Sequence, residues 1–262
     1  MGLKHRFDLV IFDWAGTMVD FGCQAPVIAL IEAFRRQGVA LAAAQARRDM
    51  GKAKADHVRA LLLDPEVAQA WRAARGGLDL DAAGAVLMAD LGPLMREQAA
   101  RAARLIDGAR GTVDALRAAG LRIASSTGYT RDMMAPVLAE AAAQGYAPEI
   151  VVCSGETPQG RPTPLMVYKI CAELGVHPLT RVVKVDDAEV GIAEGRAAGC
   201  FTVGVAASGN GVGLTAAALA ALPAAERALR VAASRKALLA AGADVVVDSV
   251  ADLIPALASA SA

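Results

Sequence analysis

Asp13 closes the apolar run Leu9-Val-Ile-Phe12 and is followed, after Trp14-Ala15, by Gly16 and Thr17. That run is too short for a buried helix and is enriched in β-branched residues, so the carboxylate stands at the carboxyl end of a predicted strand. In an open α/β sheet this edge is where ligands bind. Three more polar clusters follow predicted strands. Ser125-Ser-Thr127-Gly128-Tyr129-Thr130 closes Leu121 to Ala124 and offers hydroxyls and free N–H groups at a helix entry, suited to a phosphate oxygen. Gly160-Arg161-Pro162-Thr-Pro164 fixes a guanidinium, whose fork of donors matches phosphate. Asp186-Asp187 closes Val182-Val-Lys-Val185, and two adjacent carboxylates repel and lose hydration, a cost that a divalent cation relieves. Read singly, these are also a polar turn, an N-cap, a surface arginine and an acidic loop. Read together, they supply a nucleophile, a phosphate cradle, a charge clamp and a magnesium site, the equipment of phosphoryl transfer.

A fifth cluster carries a different chemistry: Asp49-Met50-Gly51-Lys52-Ala-Lys54-Ala-Asp56-His57-Val-Arg59. In a helix, Met50, Lys54, His57 and Leu61 share one face, while Lys52, Asp56 and Arg59 share another. Lys54 then faces apolar neighbours and a histidine, with Lys52 as the solvated partner of Asp56. Partial burial and the cations Arg47, Arg48, Lys52 and Arg59 would lower its pKa and favour the neutral amine that attacks a carbonyl. The plain alternative is a basic helix with solvated lysines and a packed histidine.

These groups need a scaffold, and the chain reads as one. Predicted strands at Leu9 to Phe12, Leu121 to Ser126, Ile150 to Cys153, Val182 to Val185, Phe201 to Val205 and Val245 to Val247 alternate with helical segments from about residue 106 onward. That alternation predicts an α/β fold with a doubly wound parallel sheet, Rossmann-like in its core. Between the first two strands lies no strand signal. An amphipathic helix, Val27 to Phe34, is followed by helix after helix with breaks near Gly51, Asp64-Pro65, Gly76-Gly77 and Gly92-Pro93. The expected organisation is a catalytic core of residues 1–20 and 105–262 with an inserted all-helical cap, residues 21–104, facing Asp13. Gly209-Asn-Gly-Val-Gly213 reads as a flexible loop.

Composition narrows the class. The chain has 262 residues, 55% hydrophobic, with 27 Lys plus Arg against 27 Asp plus Glu, so no global field draws nucleic acid or an anionic membrane surface. Every long apolar run is interrupted by Arg, Asp, Glu or Pro, which argues against membrane insertion. The first six residues lead directly into a strand without the apolar segment of a secretory signal, and the expected location is cytoplasmic. Cys23, Cys153, Cys171 and Cys200 lack paired metal-ligand spacing and read as reduced, packed thiols.

With its four strand-end motifs in order, the chain resembles the haloacid dehalogenase-like (HAD) superfamily of aspartyl-phosphate enzymes over residues 7–20 and 105–250. Members that cleave phosphate esters carry a second aspartate two positions after the nucleophile; here that position is Ala15. Many relatives carry another acid four residues after Asp187; here that position is Gly191, with Asp186 placed to compensate. Adding Gly22-Cys-Gln-Ala-Pro26 and Met50-Gly-x-x-Lys54-x-Asp-His57-Val-Arg59, the chain is similar to the phosphonatase family of that superfamily, including the cap. The resemblance implies cleavage of the carbon–phosphorus bond of phosphonoacetaldehyde, with Asp13 as nucleophile, Lys54 as imine-forming lysine and His57 as a proton carrier. It implies Mg²⁺ held by Asp13, the Ala15 carbonyl and Asp187, and phosphonate oxygens held by Thr127, Gly128 and Arg161. Met50, Cys23 and Tyr129 are implied contributors to the substrate site, and a homodimer through the caps is implied, with the Val27 to Phe34 helix either at that surface or packed inside the cap. A phosphate-ester hydrolase with Lys54 as an electrostatic clamp, a haloacid dehalogenase and an inactive protein-binding scaffold stand as alternatives.

Overall fold

The computed structural model describes residues 3–260; residues 1, 2, 261 and 262, the ends of the expected core, lie outside it. Six parallel strands form one sheet: β1 (Leu9–Phe12), β2 (Arg122–Thr127), β3 (Ile150–Cys153), β4 (Val182–Asp186), β5 (Phe201–Val205) and β6 (Val245–Val247). Their spatial order is β3-β2-β1-β4-β5-β6. The chain therefore winds away from β1 in both directions, which opens a crevice at the carboxyl ends of β1 and β4. β1 is buried along its whole length, as a parallel strand covered on both faces must be. Its side chains alternate between two cores: Leu9 and Ile11 pack with Met166, Val167 and Ile170, while Val10 and Phe12 join the larger core on the other face.

Register brings the polar clusters together. Phe12 pairs with Ser125 of β2 and Val185 of β4, so the residues that follow, Asp13, Ser126 and Asp186, emerge side by side. β2 is shifted one residue from the expected Leu121 to Ser126, and β4 extends one residue beyond Val185, which places Thr127 and Asp186 inside their strands.

Between β1 and β2 run α1 (Gln24–Arg36), α2 (Ala43–Arg47), α3 (Lys54–Leu63), α4 (Pro65–Arg75) and α5 (Leu80–Arg101). Around the sheet lie α6 (Ala109–Ala118), α7 (Arg131–Ala143), α8 (Leu165–Leu174), α9 (Glu189–Ala198), α10 (Ala216–Ala221), α11 (Ala224–Ala240) and α12 (Leu253–Ala260). Asp64 caps α4 by accepting from the Glu66 and Val67 amides, with Pro65 at the first helical position, and Gly76 ends that helix in a left-handed conformation. α1 turns most of its apolar face inward, burying Val27, Leu30, Ala33 and Phe34, and leaves Ile28 outside. Among the described residues no helix is long and apolar enough to cross a membrane.

Two expectations differ. α5 continues through Gly92-Pro93, where the sequence predicts a break. An interior proline costs about 3 kcal/mol and clashes with a Cβ on the residue before it, but Gly92 has none. Burial of Leu87, Leu91, Leu94 and Met95, at about 1.5–3 kcal/mol each, outweighs the lost hydrogen bond. The 209–213 loop is also anchored: the Asn210 amide donates to Asp187 and Gly213 N bonds to Gly209 O.

Gly84 lies in α5 with open space where a Cβ would go. Gly84→Ala is expected to raise stability by about 0.5–1 kcal/mol in urea denaturation. Pro93→Ala should add up to about 3 kcal/mol, and no gain would show that α5 is relaxed around the proline.

Candidate active site

The chain leaves β1 through a tight turn in which the Met18 and Val19 amides both bond to Trp14 O. Gly16 adopts φ +81° there, and a Cβ would lie 2.4 Å from Asp187 Oδ2. Only glycine lets the turn after Asp13 pack on the β4 end. Asp20 then accepts from the Gln24 and Ala25 amides and so starts α1.

Asp13, Asp186 and Asp187 are buried with one carboxylate oxygen from each lying within 4.8 Å of the others. Arg161 threads beneath them with its side chain fully buried. Its Nη1 donates to Asp13 Oδ1 at 2.8 Å and lies 3.4 Å from Asp186, its Nε donates to Glu194 at 3.0 Å, and its Nη2 donates to the carbonyl and hydroxyl of Ser126. Lys184, inside β4, pairs with Asp186 at 2.5 Å and lies 3.6 Å from Glu194. Four buried carboxylates thus face two buried cations. Burial first, then the Asp186 charge, pushes Asp13 up to about 6. Asp187 is driven well above the carboxylate range by burial and by both neighbours. Asp186 moves the other way: burial would raise it, but Lys184 and Arg161 hold it low. Four carboxylates against two cations leave excess negative charge at the mouth of the cluster, which fits a divalent cation. The Ala15 carbonyl beside them accepts no hydrogen bond among the described residues.

Asp186 also accounts for Gly191. A Cβ on Gly191 would lie 1.9 Å from Asp186 Oδ2, so the carboxylate from β4 occupies the space in which an acid on α9 would stand. Ala188 N and Lys184 hold it there.

Over this edge lies the lysine segment. Lys54 is the first residue of α3 and is 1% exposed. Its Nζ stands 5.0 Å from the Tyr129 ring centroid and makes no ion pair or hydrogen bond among the described residues. Burial pushes its pKa down to about 8, with Asp13 opposing and Arg161 adding to the shift. The surrounding cations expected to do this are engaged elsewhere: Arg48 with Asp64, Arg59 with Asp81, Arg47 with Asn210 and two carbonyls, and Lys52 with Asp49 in place of Asp56. Met50 precedes α3 in a turn and reaches the cavity from there.

Asp13, Ala15, Cys23, Met50, Lys54, Thr127, Gly128, Tyr129 and Asp187 line one cavity. Cys23, at φ +50°, donates from Sγ to Asp187 Oδ2 at 3.2 Å, and burial keeps it a thiol. Arg161 and His57 are not among the lining residues. Arg161 acts on the cavity through Asp13. His57 lies behind Lys54, with neither ring nitrogen in a hydrogen bond of ordinary geometry, and burial reinforced by Lys54 pushes it down to about 3. It is a neutral ring near pH 7. Lys184, Glu194 and Asn210 escape the sequence reading. A lysine inside an apolar strand is a signal for the first; Glu194 and Asn210 are unremarked residues of a helix and a glycine-rich loop.

Without a bound cation, burying protonated Lys54 opposes folding. The folded pKa of about 8 lies below the free value of 10.5, so the full penalty, about 3 kcal/mol, is present below pH 8 and vanishes as pH rises to 10.5. Lys54→Met is therefore expected to raise stability at pH 7 by about that much and to add nothing at pH 10.5, as read by denaturant titration at both values.

The haloacid dehalogenase-like hydrolase family model matches residues 7–199. The phosphonoacetaldehyde hydrolase of Paraburkholderia phytofirmans is 46% identical over 257 residues, 97% of this chain and 94% of that protein. That of Syntrophobacter fumaroxidans is 44% identical over 92% of this chain and 87% of its own length. Among solved structures, a phosphonoacetaldehyde hydrolase-like protein from Oleispira antarctica superposes with a TM-score of 0.95 at 38% identity, covering 97% of this chain and 92% of that one. The strand-end carboxylates, the buried lysine and these matches over nearly the whole sequence agree: the chain belongs to the haloacid dehalogenase-like hydrolases, within the phosphonoacetaldehyde hydrolase family.

Proposed function

We propose that this chain hydrolyses phosphonoacetaldehyde to acetaldehyde and phosphate through an imine on Lys54 and an aspartyl-phosphate on Asp13. One observation carries the reading: a buried amine without a hydrogen-bonded partner shares a cavity with a strand-end carboxylate that has no acid two residues on, where Ala15 stands. A phosphate ester would need that acid for its leaving oxygen. A carbon–phosphorus bond needs an electron sink instead.

The neutral Lys54 amine adds to the aldehyde, and the adduct takes up a proton from solvent and loses water, giving a protonated imine. Ionised Asp13 attacks phosphorus in line, the carbon–phosphorus electron pair moves into the imine, and an enamine and an aspartyl-phosphate result. Protonation of the enamine carbon and hydrolysis of both adducts release acetaldehyde and phosphate and restore the two side chains. Thr127 and the Gly128 N–H, which makes no hydrogen bond among the described residues, are the groups we assign to the phosphonate oxygens. Arg161 holds the Asp13 carboxylate and adds positive charge beneath it. Mg²⁺, held by Asp13, the Ala15 carbonyl and Asp187 with Asp186 alongside, would neutralise the phosphoryl oxygens. His57 we assign to packing behind Lys54 and to keeping the amine dry. With a pKa of about 8, about a tenth of Lys54 is neutral at pH 7, against about one part in three thousand for a free lysine. We take residues 21–104 as the cap and 1–20 with 105–262 as the core, and the resemblance extends the reading to a cytoplasmic homodimer.

Borohydride added with phosphonoacetaldehyde should reduce the imine and leave a two-carbon adduct on Lys54 in peptide maps, with none in Lys54→Arg. Phosphate release with Lys54 unmodified would overturn the imine route. Removal of divalent cations by a chelator should abolish phosphate release, and Mg²⁺ should restore it.

A further inference from the structure

The segment carrying Lys54 is pinned to the sheet edge by backbone and by one arginine. The Gly51 and Lys52 carbonyls lie so close to Gly128 that a Cβ there would stand 2.7 and 2.5 Å from them. Seven residues before Lys54, at the end of α2, Arg47 crosses to the other side of the site. Its Nη1 donates to Gly22 O at 2.8 Å and to Asn210 Oδ1 at 3.1 Å, and its Nη2 donates to Gly213 O at 2.9 Å. Asn210 Nδ2 returns a bond to Arg47 O at 3.1 Å, while the Asn210 amide donates to Asp187 Oδ2 at 2.7 Å. Gly213 is at φ +67°, and a Cβ on it would lie 2.8 Å from Arg47 Nε, so the guanidinium fills the space left by the missing side chain. Of the four cations flanking Lys54, Arg48, Lys52 and Arg59 each pair with an acid of the helical segment itself. Arg47 alone of the four reaches the sheet edge, and every oxygen it binds there is neutral.

We propose that Arg47 is a positioning residue for Lys54: its clasp on Gly22, Asn210 and Gly213 holds residues 47–54 closed over the sheet edge, and Asn210 links that closure to the placement of Asp187. The three acceptors come from the β1–α1 connection and the loop after β5, so the clasp forms only when the helical segment is seated. Three directed bonds from one rigid fork fix both position and orientation. Seating delivers the amine to the cavity and dries it. Opening of the clasp leaves the chemistry intact but reduces the fraction of molecules ready to bind, which raises the apparent dissociation constant in proportion. This inference rests on the imine reading of Lys54.

The test compares Arg47→Ala, Arg47→Lys and Gly213→Ala with Arg59→Ala, whose exposed pair with Asp81 lies away from the site. Hydrogen exchange without substrate should show about tenfold faster exchange in the 48–56 amides of Arg47→Ala and Gly213→Ala, with the β1 and β4 amides unchanged. With phosphonoacetaldehyde, KM should rise about tenfold while kcat stays within about threefold. Arg47→Lys should lie between these and wild type, since an ammonium reaches fewer of the three oxygens, and Arg59→Ala should match wild type. Folded Arg47→Ala and Gly213→Ala with wild-type KM and wild-type exchange would overturn the clasp, as would a loss confined to kcat. If Arg47→Ala fails to fold, Arg47→Lys and Gly213→Ala decide by the same readings. Absence of a Lys54 adduct in wild type would instead remove the imine reading, and the exchange arm would still report on the clasp.

Discussion

Excess negative charge buried at the carboxyl ends of β1 and β4 is the constraint to which the rest of this structure answers. Asp13, Asp186, Asp187 and Glu194 are all withdrawn from water, and Arg161 and Lys184 balance only two of them. Charges in such a place are tolerated only when each is paired or bonded, and the network meets that demand unevenly. Asp186 is fully committed to Lys184, Arg161 and the Ala188 amide. Glu194 is spent on Arg161 and Ser126, although its second oxygen has no partner. Asp13 shares Arg161 with Asp186 and Glu194, Asp187 has no cation of its own among the described residues, and both face the cavity. The energetic stress therefore collects on the two carboxylates that line the cavity.

The same burial acts in opposite senses on the other side of the cavity. It drives Asp13 toward protonation and Lys54 toward deprotonation, so each is held near the pH at which its reactive form is accessible. Neither satisfies the other: no ion pair joins them, and the amine rests against the Tyr129 ring. A direct salt bridge would have stabilised the fold and engaged both groups. Placing them on separate elements, with a helical segment seated on a sheet edge, keeps them close and uncommitted.

Close approach makes that seating possible. Gly16, Gly51, Gly128 and Gly191 each stand where a Cβ would strike the opposing element. At Gly128 the obstacle is backbone, so the two halves of the site meet main chain to main chain. At Gly191 it is the Asp186 carboxylate, which shows that the acid supplied from β4 and the glycine on α9 are one substitution in spatial terms.

Much of this was legible in the sequence because it is local. Strand runs of three to six mainly apolar residues, polar residues at their ends and a helical stretch without β-branched runs follow from side-chain periodicity, and these located Asp13, Thr127, Asp187 and the Lys54 segment. The proline in α5 misled for the same reason: a local rule yielded to an apolar face buried against α1, α3 and α7. What required the tertiary structure was every property that depends on neighbours distant in sequence. Sequence alone named Lys54 as a candidate with a lowered pKa and assigned the shift to partial burial and nearby cations together; folding sent those cations to other partners and left desolvation as the main cause. Arg161 was readable from the sequence as a charge clamp, but its partners were not: it bonds Asp13, while Glu194, 33 positions away, and Ser126 take its remaining donors. Residue types and spacing thus determined which chemistry was available, while burial and long-range pairing decided which groups stay free to perform it.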